Sequence, residues 1–144
     1  MSGIPVYYSE ELHQFDFGPG HPFHGGRFKE FIDLLYKADI LKICELIAPV
    51  EATDADLGLV HTEEHLALVN KAKNIGGGLS MDTPATLGAV KAQRLIAGSA
   101  LQANGVLLDG DKKIAHTFGG FHHAGADYGE GFCIYNDVAI AAKA

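Results

Sequence analysis

Apolar and polar positions alternate along this chain with two periods, and the change from one to the other predicts its elements. Residues 4–8 form a short β-rich run, a first strand. Two glycines and two prolines within Asp16-Phe17-Gly18-Pro19-Gly20-His21-Pro22 forbid regular structure there. From Arg27 onward Phe28, Phe31, Ile32, Leu34 and Leu35 recur at helical spacing, with Lys29, Glu30 and Asp33 between them. Residues 47–50 are read as a second short strand. Thr62 followed by Glu63 and Glu64 is a helix start, a capping hydroxyl ahead of first-turn acids. The helix carries Leu66, Leu68, Val69 and Ala72 and ends at Gly76-Gly77-Gly78. Pro84 is placed in the first turn of the next helix, an Ala- and Gly-rich segment running to Asn104 that is expected to pack closely against a sheet. Residues 114–118 read as a strand, 119–131 as a long loop, and Asn136-Asp137 as the cap and acidic first turn of an apolar helix. That helix reaches Ala144 after little more than two turns without a capping glycine, which predicts a truncated domain.

Composition narrows the class. The chain has 144 residues, 47% of them hydrophobic and 20% charged, as a single globular domain requires. Its formal charge is −7 with no run of Lys or Arg, so direct binding to nucleic acid is disfavoured. Cys44 and Cys133 lie far apart in no C-x-x-C pair, which argues against a disulfide framework and fits a reducing compartment. The segment 1–8 lacks a basic leader, and the apolar-leaning stretch 95–108 is too short to span a bilayer. A soluble, cytoplasmic protein with no membrane partner is the expectation.

The candidate chemistry sits late in the chain. Phe118-Gly119-Gly120-Phe121-His122-His123-Ala124-Gly125 carries a strand into a Gly-rich loop with two adjacent imidazoles. Loops at the carboxyl ends of strands are where ligands bind in open α/β sheets. Histidine is the side chain best matched to proton transfer near neutrality. On the residues alone two readings stay open: a catalytic loop, or a surface loop whose histidines bond nearby carbonyls. The segment 16–27 either places His21 and Arg27 in a pocket or merely connects a strand to a helix, and local signals favour the connector. His61 and His65 have the four-residue spacing of a zinc pair on a helix. Thr62 as cap puts His61 outside that helix, and the Glu of H-E-x-x-H is missing, so a structural role is expected. Cys133, between Phe132 and Ile134, reads as a small packed hydrophobe. Asp82 reads locally as a helix entry, and Asp54, Asp56, Asp109 and Asp111 as solvated turn residues.

In order, Gly18-Pro19-Gly20-His21-Pro22 with Arg27, Val60-His61-Thr62, Asp82-Thr83-Pro84, Ala97-Gly98, Gly119-Gly120-Phe121-His122-His123-Ala124, Gly131-Phe132-Cys133 and Asn136-Asp137 resemble the N-terminal part of the histone deacetylase superfamily. Within it, the bacterial acetoin-utilisation-type and acetylpolyamine-type branch is the most similar. The resemblance implies an α/β domain with a central parallel sheet between helical layers, of the deacetylase/arginase-like type and incomplete over residues 1–144. It also implies zinc-dependent hydrolysis of an acetyl amide on lysine or a polyamine. By position, His123 would take the proton of the attacking water and His122 would be its electrostatic partner. Gly131 and Phe132 would line the acyl tunnel, Asp82 would accept hydrogen bonds at its rim, and Arg27 would lie near its inner end. The family's zinc ligands and its oxyanion-stabilising Tyr belong to later segments. Zinc is therefore expected in a full-length parent and not in this chain alone, which is expected to be inactive. Gly25-Gly26 stands where many relatives carry a proline before Arg27.

Three functional classes follow: half of a deacetylase, a non-catalytic module recognising an acyl-lysine-like group, or a self-contained metalloprotein using His61, His65 and His122. Apolar faces left open on the small-residue helix and on the helix after Asn136 would favour self-association.

Overall fold

The computed structural model describes residues 3–144, so Met1 and Ser2 of the segment read for a leader lie outside the described residues. β1 (Ile4–Tyr7) buries Val6 and Tyr7 and pairs in parallel with β2 (Cys44–Ile47), Ile4 opposite Cys44 and Tyr7 opposite Ile47. The crossover between them contains α1 (Gly26–Lys37), whose Phe28 is buried. On the other edge of β1, Tyr7 N–H donates to His116 O at 3.0 Å and His116 N–H donates to Pro5 O at 2.8 Å. Three parallel segments thus lie in the order β2, β1, His116.

Two predicted strands differ from the observed ones. The second strand ends at Ile47 rather than beginning there. Pro49 has no N–H to give a ladder, and Val50 N–H is taken by Gln102 Oε1 at 2.9 Å. The strand predicted over 114–118 is reduced to the single bridge at His116, because the chain turns away at Gly119 and Gly120 to bind a side chain instead.

α2 (Asp54–Leu57) is a single turn closed by a capping box between Thr53 and Asp56. α3 (Glu63–Ile75) is capped by Thr62, whose hydroxyl accepts from His65 N–H, and it ends at Gly76 as the pattern indicates. A hairpin follows, β3 (Gly78–Ser80) against β4 (Thr83–Pro84). Pro84 therefore lies in a strand, not in a helical first turn. Thr86 is the true cap, its hydroxyl accepting from Ala89 N–H, and α4 (Leu87–Leu108) starts after it. The helix buries ten residues, four of them alanines and one Gly98, which lets neighbouring backbone approach. A Cβ on Gly98 would overlap the carbonyl of Val50. α5 (Asp137–Lys143) packs on α4, with Asn104 Nδ2 donating to Ala141 O at 2.9 Å.

Phe15, Leu12, Leu57, Val69, Ile96, Ile134, Tyr135 and Ile140 are almost wholly buried in one core. The expected open faces on α4 and α5 are present only in part: Leu95 and Ile96 of α4 and Ile140 of α5 are inside the core, while Leu87, Leu107 and Leu108 of α4 and Val138 of α5 are exposed. Leu34 and Tyr36 of α1, Ile43, Leu46 of β2 and Val50 are exposed as well. Among the described residues no helix is long and apolar enough to cross a membrane.

Candidate active site

Beyond the His116 bridge the backbone enters the two-histidine loop. The His122 and His123 rings lie 4.4 Å apart, inclined by 30°. Both side chains are exposed on the wall of a cleft of about 590 Å³. His122 Nδ1 lies 2.8 Å from Gly120 O. A carbonyl oxygen can only accept, so Nδ1 carries a proton, and in the neutral ring the lone pair is on Nε2. This bond is what the surface-loop reading anticipated, yet it engages only one of the two ring nitrogens.

The cleft gathers Arg27, Gly131 and Phe132 with both histidines, and Phe28, Phe31, His116 and Phe118 form an aromatic inner wall. Phe31 and His116 stack at 4.9 Å. The guanidinium of Arg27 lies over the Phe23 ring, 4.6 Å from its centroid. The segment 16–27 is thus more than a connector. It delivers Arg27 to the cleft, and its His21 ring packs edge-on against Phe132 at 4.7 Å. Gly131 has a left-handed φ of +59°, and a Cβ there would press on the His123 ring.

Asp82 is not at a helix entry but exposed in the turn between β3 and β4, bonded to Gly131 of the cleft wall. Its Oδ1 accepts from Ser80 Oγ at 2.8 Å, Thr83 Oγ1 at 2.9 Å and Gly131 N–H at 3.1 Å. The two hydroxyls hold its carboxyl below the usual carboxylate range. Its carbonyl accepts from His21 Nε2–H at 3.1 Å, while His21 Nδ1 accepts from Phe23 N–H. Thr83 Oγ1 in turn accepts from Phe132 N–H at 3.0 Å, so the hairpin fixes the 131–132 wall at two points.

His61 and His65 are buried at 4% and 1% exposure, with rings 4.9 Å apart. His61 Nε2 accepts from Asn136 N–H at 3.0 Å, and His65 Nε2–H donates to Ile134 O at 2.9 Å. Burial, with His65 beside it, pushes the His61 pKa down to about 4. The pair therefore braces the 134–136 segment, the structural role its sequence context indicates. Cys133 is buried, and burial raises its thiol pKa, which suits packing rather than nucleophilic attack. Among the described residues no three His, Cys, Asp or Glu side chains converge to hold a metal ion. His61, His65 and His122 therefore do not form the ligand set of the metalloprotein reading.

Three positions escaped the sequence reading as parts of the site. Gln93, 1% exposed on α4, accepts from Ile134 N–H and Tyr135 N–H and donates to Phe132 O. A lone amide within an apolar helical stripe was the available signal. Asn136 does cap α5, as expected, through Oδ1 to Ala139 N–H, but its Nδ2 also donates to His122 O and Ala124 O. Asp137, read as a first-turn acid, is 3% exposed and accepts from Gly120 N–H and Phe121 N–H. No local pattern announces these bonds, whose partners are 12 to 17 residues apart.

Parallel strand segments ending in a loop that bears the paired imidazoles define a mixed α/β domain with its candidate site at the strand ends. The comparisons make that class specific. A family model described as histone deacetylase domain matches residues 21–144, and the chain belongs to this family. It is 32% identical over 155 residues to the acetoin utilization protein AcuC of Staphylococcus aureus (strain MRSA252), covering 99% of this chain and 39% of that protein. It is also 31% identical over 145 residues to AcuC of Bacillus subtilis (strain 168), covering 93% of this chain and 37% of that protein. A crystal structure titled as that of the HDA15 HD domain superposes with a TM-score of 0.85 at 28% identity, over 99% of this chain and 43% of that one. The fold is thus a partial deacetylase fold, and the chain spans about two fifths of the length of these relatives.

Proposed function

We propose that this chain carries the imidazole and acyl-binding side of a zinc-dependent deacetylase that hydrolyses an acetyl amide of the acetyl-lysine or acetylpolyamine type. In this reading His123 accepts a proton from the attacking water, and His122 is its electrostatic partner beside the leaving amine. Gly131 and Phe132 grip the acyl arm, Asp82 accepts hydrogen bonds from the substrate at the rim, and Arg27 receives the acid product at the inner end. The metal ligands are assigned to the part of the family domain that this chain does not span. The observation that carries the reading is the convergence of His122, His123, Arg27, Gly131 and Phe132 on one cleft, with Asp82 bonded to its wall. The free Nε2 of His122 and the −7 charge, which suits a cationic substrate, support it.

The test compares the 144-residue chain with a protein extended to the full length of its relatives, by metal analysis and by release of acetate from acetyl-lysine peptide and acetylpolyamine. The extended protein is expected to bind zinc and turn over, and to lose most of its kcat on His123→Ala. The short chain is expected to do neither. One equivalent of tightly held zinc and turnover in the short chain would refute this division of the site. Binding without turnover by the extended protein would replace the enzyme with an acyl-recognition module.

A further inference from the structure

We infer that Asn136 and Asp137 are positioning residues for the two imidazoles, clamping the loop 120–124 from both sides of His122. The inference rests on the proposed function only for what the imidazoles then do. Within the loop the backbone supplies little: His122 N–H donates to Gly120 O at 3.0 Å, the oxygen that also receives the ring Nδ1–H. The remaining restraint comes from the start of α5. The buried carboxylate of Asp137 accepts from Gly120 N–H at 2.9 Å and from Phe121 N–H at 2.7 Å. Asn136 Nδ2 donates to His122 O at 3.2 Å and to Ala124 O at 2.9 Å, the carbonyls on either side of His123.

The division of labour follows from these partners. Asp137 holds the Gly120 N–H while the Gly120 carbonyl holds His122 Nδ1, so the carboxylate fixes the acceptor that sets the His122 tautomer. Outer partners of this kind commonly orient a reactive imidazole. Asn136 fixes the peptide that enters His123 and the carbonyl of the residue after it. His61 stands behind both, its Nε2 accepting the Asn136 N–H at 3.0 Å. The loop's glycine makes room for the clamp: a Cβ on Gly119 would overlap Asp137 Oδ2. A helix cap alone explains none of this, since capping uses only Asn136 Oδ1.

Asn136→Asp separates the two roles. It is nearly isosteric and remains a good cap, but it replaces the Nδ2 donor with an acceptor facing two carbonyls. In the ¹⁵N-labelled chain, NMR reads the imidazole tautomers and amide exchange with neither metal nor substrate present, so the outcome is independent of any deacetylase assay. The native chain is expected to show His122 as one Nδ1–H tautomer. In Asn136→Asp and in Asp137→Asn that tautomer should give way to a mixture, and Phe121 amide exchange should rise about tenfold or more, as loss of a buried hydrogen bond implies. The Ala139 amide should be unaltered in Asn136→Asp. An unchanged His122 tautomer and unchanged Phe121 exchange in a folded Asn136→Asp would overturn the inference. Global unfolding of that variant would do so too, since it would make Asn136 a determinant of the fold and not of the loop.

Discussion

Acidification should destabilise this chain through His61, and the size of the effect follows from its surroundings. The ring is buried, faces His65 at 4.9 Å and Tyr135 at 5.6 Å, and uses Nε2 to accept the Asn136 N–H. An imidazolium has no lone pair, so protonation would turn that bond into two opposed N–H groups. The folded pKa of about 4 lies below the ordinary 6.5. Between those values the unfolded chain binds the proton and the folded chain does not. The contribution is therefore complete above pH 6.5 and is lost progressively as the pH falls towards 4. The full gap corresponds to about 3 kcal/mol, and about 2 kcal/mol of it disappears between roughly pH 7 and pH 5.

In a domain of this size that loss lowers Tm by roughly 4–10 °C. His116, whose pKa burial also lowers, acts in the same direction, so a single-site control is needed. His61→Gln provides it, because the amide oxygen can accept the Asn136 N–H and does not titrate. Asp56 and Asp82 are held below their ordinary 3.8 and leave this window undisturbed. Thermal unfolding at the two pH values should show the extra drop in the native chain and not in His61→Gln. Equal drops in both, or an NMR titration of His61 centred above about pH 6, would refute the reasoning.

The packing of α4 gives opposite signs for two chemically identical changes. Gly98→Ala should destabilise by about 1–3 kcal/mol, because the new methyl meets the Val50 carbonyl. Gly105→Ala, in open space on the same helix, should stabilise by up to about 1 kcal/mol. Urea unfolding reads both, and like signs would contradict the packing. Gln93→Leu strips partners from Phe132 O, Ile134 N–H and Tyr135 N–H and should cost about 3 kcal/mol or more, so a loss below about 1 kcal/mol would contradict the hydrogen-bonding role. A thiol reagent should modify half-buried Cys44 in the native chain and reach Cys133 only after denaturation, and equal native rates would exclude the buried thiol.

Local chemistry made much of the fold legible. Thr62, Gly76 and Asn136 act within one turn of themselves, and each marks a helix end that the structure keeps. Pro84 misled because proline suits both a first helical turn and an edge strand, and the better cap, Thr86, lay two residues on. Strand limits were harder, since a strand depends on its neighbour. Nothing around residues 47–50 shows that Val50 N–H belongs to Gln102, more than fifty residues away.

The site divides along the same line. His122 and His123 stand out because adjacent imidazoles among glycines are a local pattern, and only the family resemblance singled out Arg27, Asp82, Gly131 and Phe132. What holds the imidazoles was not legible, because Asn136 and Asp137 carry an ordinary helix-start signature whether or not a loop returns to them. Gly119 and Gly120 illustrate the point: in sequence they suggest freedom for a ligand to approach the main chain. In the structure the close approach at Gly119 is made by the chain's own Asp137 carboxylate, and the adjacent Gly120 N–H binds it. A glycine pair beside paired histidines is thus equally a mark of restraint, and the distinction lies with whichever side chain fills the space a Cβ would have taken.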